Sequence, residues 1–338
     1  MTADPAGSPQ AVRQRAHRIP RKLRPGSRVA VVAPSGVVDP ERLALGCEIV
    51  RGWGLEVEPA AGLLDRHGEL GYLAGPDSAR AKDLEQAWLD PGIDAVLCAR
   101  GGYGAQRIAD LLDWHAMAAA ARPEPKVLAG FSDITALHEA FALRLNVATL
   151  HAPNVATGSF TGEPATQDGL RDALLGGAPP ARGAGTGAGG SRVLAGPPGD
   201  CLVPGRVSGV TAGGNLSLLA AGLGTADGRA AGGFAGCVLL LEDVNESCYR
   251  LDRLLTQLLR SGALDGVAGI ALGSWADCGP LAEIRALMAD RLRPLGVPVA
   301  WELGFGHCSP QRTVPLGVPA TLDARAGTLT VPDLPEPA

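Results

Sequence analysis

From residue 28 to about residue 151, short aliphatic and β-branched runs alternate with longer stretches of helical periodicity. Arg28–Ala33, Leu55–Pro59, Asp94–Ala99, Lys126–Ala129 and Val147–His151 read as strands, and 40–52, 77–89, 105–119 and 133–144 as helices. The strands are almost continuously apolar, as expected when both faces of a sheet are covered. Strand–helix alternation of this kind predicts a parallel sheet clad in helices. After residue 202 the pattern loosens. Arg206–Thr211, Cys237–Leu241, Val267–Leu272 and Val297–Trp301 read as strands. Asn215–Leu223, 246–260 and 280–293 read as helices, with Tyr249, Leu251, Leu254, Leu255, Leu258 and Leu259 spaced for one apolar face. Val314–Leu322 and Thr328–Val331 flank Asp323–Gly327 as a β-hairpin. The fold class is therefore α/β: an amino-terminal parallel-sheet domain followed by a smaller, mixed α/β carboxy-terminal domain.

Composition refines this division. Gly 47 and Pro 27 make up about a fifth of the 338 residues, yet 46% are apolar and 19% charged, enough to build a large core. Much of the glycine falls in 158–202, which includes Gly176-Gly177, Pro179-Pro180 and the run Arg182–Ser191; this stretch reads as a linker with a flexible Gly/Ala-rich insert. Residues 1–27 carry a basic cluster without the apolar segment of a secretory signal and read as a disordered tail. The expected units are 1–27, 28–157, 158–202 and 203–334.

Charge and cysteine usage exclude several function classes. A net charge of −5 argues against a nucleic-acid partner held by phosphate neutralisation. No apolar run is long enough for a membrane span. Seven scattered cysteines without C-x-x-C spacing argue against a disulfide framework or a structural zinc site.

Candidate chemistry lies in polar residues placed directly after buried strands, where parallel sheets form their ligand sites. In Leu128–His138 the strand ends at Gly130 and Ser132 occupies the turn into a helix. A hydroxyl there lies near helix-terminal amides that can stabilise an oxyanion, although a helix cap is the plainer role for Ser132 or Asp133. Cys98–Gln106 holds Gly101, Gly102 and Gly104, which let backbone approach a ligand, but Arg107 breaks the dinucleotide fingerprint. Glu242 and Asp243 follow the Cys237–Leu241 strand, and His307 lies in a glycine-flanked loop. His151 ends a strand and is a further residue that can line a site. A serine needs a base, and the base needs an orienting acid, but spacing alone does not bring the three together.

Several long segments, in order, resemble the LD-carboxypeptidases, the serine-peptidase family that includes muramoyl-tetrapeptide carboxypeptidases and microcin C self-immunity hydrolases. They are VAPSG (32–36), GYLAGPDSARAKDL (71–84), CARGGYGAQR (98–107), GFSDITALH (130–138), GGNLSLLAAGLGT (213–225), LLLEDVNESCYRLDRLLTQL (239–258) and FGHCSPQRTVPLG (305–317). The resemblance implies Ser132 as nucleophile, Glu242 as acid and His307 as base, the first in the amino-terminal domain and the others in the carboxy-terminal one. It implies release of terminal D-Ala from a murein tetrapeptide by a cytoplasmic homodimer, without metal or organic cofactor. The backbone N–H groups of Asp133 and Gly102 are the expected oxyanion donors, and Arg100, Gly101 and Tyr103 the expected substrate contacts. Cys308 departs from the family's common GHG loop. The alternatives are a microcin-type hydrolase acting on an aminoacyl-nucleotide analogue and a non-catalytic peptide- or nucleotide-binding protein. Phe160 is the one aromatic of 158–202 that could stack on a base.

Overall fold

The computed structural model describes residues 15–122, 124–176, 186–187, 190–196 and 200–337. The amino-terminal half winds through β1 (Arg28–Val32), α1 (Pro40–Gly52), β2 (Glu56–Pro59), α2 (Asp77–Leu89), β3 (Ala95–Cys98), α3 (Ala105–Ile108), α4 (Trp114–Ala121), β4 (Val127–Gly130), α5 (Thr135–Ala140) and β5 (Thr149–His151). Strands β1 to β5 are parallel, in the spatial order β5-β4-β3-β1-β2. Their apolar side chains feed two cores, one on each face of the sheet. Helix α1 starts where its sequence says it should. Asp39 accepts the N–H of Arg42 at 2.9 Å, and Pro40 fills the first turn, where no N–H is needed.

Helices α6 (Gly158–Thr161) and α7 (Pro164–Leu175) follow. The carboxy-terminal half contains β6 (Thr186–Gly187), β7 (Ser191–Ala195), β8 (Cys201–Val203), β9 (Arg206–Asn215), α8 (Leu216–Gly222), β10 (Cys237–Val244), α9 (Cys248–Arg260), β11 (Gly269–Ala276), α10 (Leu281–Leu292) and β12 (Val299–Ala300). It ends in β13 (Val314–Leu316), β14 (Pro319–Asp323) and β15 (Thr328–Pro332). Its sheet runs β6-β7-β15-β14-β9-β10-β11-β12-β8, parallel across β9 to β12 and antiparallel elsewhere. The apolar stripe of α9 is buried through Leu251, Leu255 and Leu258. Truncating any one of them to Ala should cost about 2–5 kcal/mol of stability.

Four expectations need correction. The helix expected over 105–119 is broken, because Asp113 caps a new helix by accepting the N–H of Ala116 at 2.9 Å. The strand expected over Val314–Leu322 is two strands. Gly317, at φ +81°, turns the chain so that β13 joins β5 of the amino-terminal sheet while β14 stays in the other. The stretch 158–202 is not a featureless linker: Phe160, Leu170 and Leu174 are buried in the amino-terminal core, since α6 and α7 carry apolar faces that the glycine count obscured. Gly177, Pro179-Pro180 and most of the run from Arg182 to Ser191 lie outside the described residues. Finally, part of the basic tail is built into the fold. Leu23 is buried, Leu23 N–H donates to the Leu174 carbonyl at 2.6 Å, and His17 N–H donates to Gly317 at 2.8 Å. Residues 1–14 lie outside the described residues.

The halves meet along a polar seam. Arg229 and Glu139 form a buried ion pair across it, with the guanidinium 4.8 Å over the Phe234 ring. Asn215 N–H donates to Thr135 Oγ1 at 3.0 Å. Both contacts seat α5, the helix that follows Ser132, against the carboxy-terminal half.

Candidate active site

Strand β4 ends at Gly130, Phe131 is extended, and Ser132 turns into the left-handed region at φ +66°. A non-glycine residue there is strained and persists only where its surroundings hold it. Asn154 supplies part of that hold: its Oδ1 accepts the Phe131 N–H at 3.2 Å and its Nδ2 donates to the Phe131 carbonyl at 3.3 Å. Gly101 supplies another part. A Cβ on Gly101 would lie 2.9 Å from the Ser132 Cβ, so only glycine lets the 101–104 loop pack against the hydroxyl-bearing turn. Asp133 is buried and ties that loop down, its Oδ2 accepting the N–H of Ala105 at 2.8 Å. Burial pushes its carboxyl above the ordinary value, against the pull of that bond and of Arg80.

Glu242 is the last residue of β10 in register with β9, opposite Asn215, and is completely buried. His307 reaches it from the loop after β12, where Gly304 (φ +72°) and Gly306 (φ +90°) make the turns. His307 Nδ1 and Glu242 Oε2 are 2.6 Å apart, and the His307 backbone N–H donates to the same oxygen at 3.3 Å. A carboxylate can only accept, so Nδ1 carries the proton and Nε2 is left as an acceptor. That Nε2 lies 3.1 Å from Ser132 Oγ. The three side chains that sequence reasoning singled out are thus joined in one hydrogen-bonded chain, although they lie 65 and 175 positions from His307 along the polypeptide. The Phe131 ring packs on the imidazole, 4.7 Å between centroids. Burial alone would lower the His307 pKa and raise that of Glu242. The charge and hydrogen bond each offers the other outweigh burial, so His307 is raised and Glu242 lowered.

Asp243 is occupied elsewhere. Successive strand residues point to opposite faces, and Asp243 accepts from Asn215 Nδ2 at 3.0 Å and from Ser217 N and Oγ at 2.9 and 2.8 Å. It clamps β10 to the start of α8, with its carboxyl pushed up to about 6 by burial and by Glu242. Gly102 (φ +107°) sits beside Gly101, its Cα 3.6 Å from where a Cβ on Gly36 would be. Arg100 is exposed and donates through Nη1 to the Val37 carbonyl. Tyr103 is half-exposed and stands edge-on to Tyr72, 5.9 Å between ring centroids. Burial pushes the Cys308 thiol up to about 11, so it is a poor nucleophile beside His307. Among the described residues, no group of three His, Cys, Asp or Glu side chains is placed to hold a metal ion, and no helix is long and apolar enough to cross a membrane.

Sequence reasoning missed Asn154, Thr135 and Asn215. Asn154 follows the β5 strand end, the same signal that picked out Ser132 and Glu242. Thr135 and Asn215 act across the seam, and nothing local marks them.

Two α/β halves with a hydroxyl–imidazole–carboxylate chain at their junction define a class of hydrolase architecture. The comparisons give the family: residues 29–152 match the LD-carboxypeptidase N-terminal domain, and 208–322 match the LD-carboxypeptidase C-terminal domain. The chain belongs to the LD-carboxypeptidase family, which makes it a peptidase-class hydrolase. It is 57% identical to a putative carboxypeptidase of Streptomyces coelicolor, over 92% of this chain and 95% of that protein. It is 35% identical to the murein tetrapeptide carboxypeptidase of Pseudomonas aeruginosa, over 88% and 93%. A crystal structure of an MccF-like protein from Bacillus anthracis shares the fold, with a TM-score of 0.77 over 93% of this chain and 99% of that one at 24% identity.

Proposed function

We propose that this protein is a serine carboxypeptidase that releases terminal D-Ala from a murein tetrapeptide by cutting between an L-centre and a D-residue. The observation that carries the reading is the hydrogen-bonded chain Ser132 Oγ–His307–Glu242, with the hydroxyl on a strained turn. Ser132 attacks the scissile carbonyl while His307 Nε2 accepts its proton, then returns it to the leaving amine of D-Ala. Glu242 fixes the imidazole tautomer and stabilises the imidazolium. Water, deprotonated by the same imidazole, hydrolyses the acyl-enzyme. The N–H groups of Asp133 and Gly102 serve the oxyanion, and losing one such donor costs about 3 kcal/mol of transition-state stabilisation. Arg100 meets the free carboxylate of D-Ala, with Gly101 and Tyr103 lining its approach. We place the reaction in the cytoplasm and the enzyme in a homodimer, on the family resemblance.

The nucleotide-directed alternative keeps its likeness in fold to MccF-like proteins but loses one argument, base stacking by an aromatic of 158–202. Phe160 is completely buried, edge-on to Trp53 at 6.0 Å, and cannot stack on a base. The direct test is Ser132→Ala, assayed for D-Ala release from free or UDP-linked tetrapeptide. The variant should fold and lose activity by about 10⁴-fold or more. Near-normal release would overturn the assignment.

A further inference from the structure

Glu242 commits only half of its carboxylate to His307. Both contacts fall on Oε2, while Oε1 is buried without a hydrogen-bond partner. The imidazole facing Oε1 belongs to His151, whose Nε2 lies 4.0 Å away. His151 is itself completely buried, and neither of its ring nitrogens has a hydrogen-bond partner. Buried polar atoms are almost always satisfied, so facing orphans on two fully buried side chains call for a role. The separation is about 1 Å longer than a hydrogen bond, and contacts of this kind are often loose before substrate binds.

The surroundings fix His151 in place. Phe131 and Phe305 stand against its ring, at 6.0 and 5.8 Å between centroids, and His138 lies at 6.4 Å. Its backbone pairs with Val314 of β13, the strand that the carboxy-terminal half lends to the other sheet. His151 therefore reaches Glu242 across the seam, from the half that carries Ser132.

The geometry points to His151 as a positioning residue: it donates Nε2–H to Glu242 Oε1, and this contact closes as His307 takes the proton from Ser132. The inference rests on the reading of Ser132, His307 and Glu242 as the reacting chain. A neutral donor steadies the carboxylate without competing with the imidazolium of His307 for its charge. Burial, together with the charge of His307 and against that of Glu242, holds the His151 pKa down to about 4, so it stays neutral. The other ionisable groups around the pair are His307 and Asp243 beside Glu242, and His138 beside His151. Cys278 and Cys308 lie within electrostatic reach of Glu242, and burial holds both thiols up at about 11.

The test has two parts. In the full-length wild-type protein labelled with ¹⁵N-histidine, His151, assigned by its absence in His151→Phe or His151→Gln, should be neutral from about pH 5 to 9 with its proton on Nε2. A proton on Nδ1 overturns the inference. In kinetics, His151→Phe should lower kcat by about 10- to 100-fold at unchanged KM. Its acid limb of kcat/KM should move to lower pH, because the imidazolium of His307 loses a donor that closes on Glu242 only as that charge forms. His151→Gln, which keeps an N–H donor, should recover part of the rate. A His151→Phe enzyme with wild-type kcat, or with lowered kcat and an unmoved acid limb, overturns the role. If His151→Phe does not fold, the His151→Gln profile and the wild-type tautomer decide. Ser132→Ala runs alongside. An inactive Ser132→Ala beside a wild-type-like His151 variant rejects this inference alone, whereas an active Ser132→Ala rejects the reading beneath it.

Discussion

The two halves position their reactive groups by different means. Ser132 is fixed by backbone: a strained turn at a strand end, clamped by Asn154, backed by Gly101 and tied by Asp133 to the 101–104 loop. His307 is fixed by a side chain. It sits on a loop with left-handed glycines and takes its orientation from Glu242. On the proposed reading of Ser132 as nucleophile and His307 as base, the difference follows from what each group must do. A nucleophile has to stay at one point, and a rigid backbone provides that. A base has to hold one tautomer in the right plane, which a buried carboxylate provides.

Changes to the orienting side chain should therefore cost rate without fold. Glu242→Gln should keep the structure and lower kcat by about 10⁴-fold, because the amide no longer enforces the Nδ1–H tautomer. Steady-state kinetics with a matching circular dichroism spectrum check this, and a loss below tenfold would contradict it. Gly306→Ala attacks the same contact from the backbone. Its Cβ would fall 2.5 Å from Glu242 Oε2 at φ +90°, and displacing the carboxylate by about 1 Å should cost about 10²-fold in kcat. Asp243→Asn tests whether the neighbouring carboxylate is structural. The amide cannot accept from Asn215 and Ser217 together, so stability should fall by about 1–3 kcal/mol. Its kcat should stay within about tenfold of wild type, measured beside a urea titration.

Two pH experiments sharpen the same contrast. Burial lowers the His307 pKa, but Glu242 and Asp243 raise it further than burial lowers it, so the acid limb of kcat/KM should lie above 6.5. In Glu242→Gln burial dominates and the limb should move down. The buried pair behind the site behaves oppositely. His138, its ring nitrogen bonded to the Gly130 carbonyl at 2.9 Å, is pushed down to about 3 by burial and His151, and His151 itself to about 4. The unfolded chain takes up these protons near 6.5 while the folded chain does not. Stability should therefore fall as pH drops from about 6.5 towards 4, by up to about 1.4 kcal/mol per pH unit for each histidine. His307 contributes in the other direction: its share is present below 6.5 and is lost as pH rises through its raised pKa. Denaturant midpoints across this range, with and without His138→Phe, would measure the balance.

Much of the fold was legible in the chain. The strands of the amino-terminal sheet were marked by continuous apolar runs, and α1 by Asp39 and Pro40, because burial on both faces and helix capping are local requirements. The polar residues at strand ends were legible for a related reason: the apolar runs Val127–Gly130 and Cys237–Leu241 carry no Ser, Glu or Asn, so Ser132 and Glu242 stand out just past them. Asn154 lay within that signal and was passed over. The break at Asp113 and the ordered helices of 158–175 were not legible, since a short cap and a glycine-rich neighbourhood mask a modest apolar face.

What the sequence determined by itself was which segments of the amino-terminal sheet become strands and which polar side chains stand at the ends of the apolar runs. Tertiary structure alone decided which of two adjacent carboxylates, Glu242 or Asp243, meets His307, because strand alternation sends them to opposite faces and only packing tells the faces apart. It also decided that β13 crosses to the other sheet, which carries Val314 to the backbone of His151. Hydrogen bonds between residues 65 and 175 positions apart depend on the closure of the whole fold, and local propensity carries no record of that.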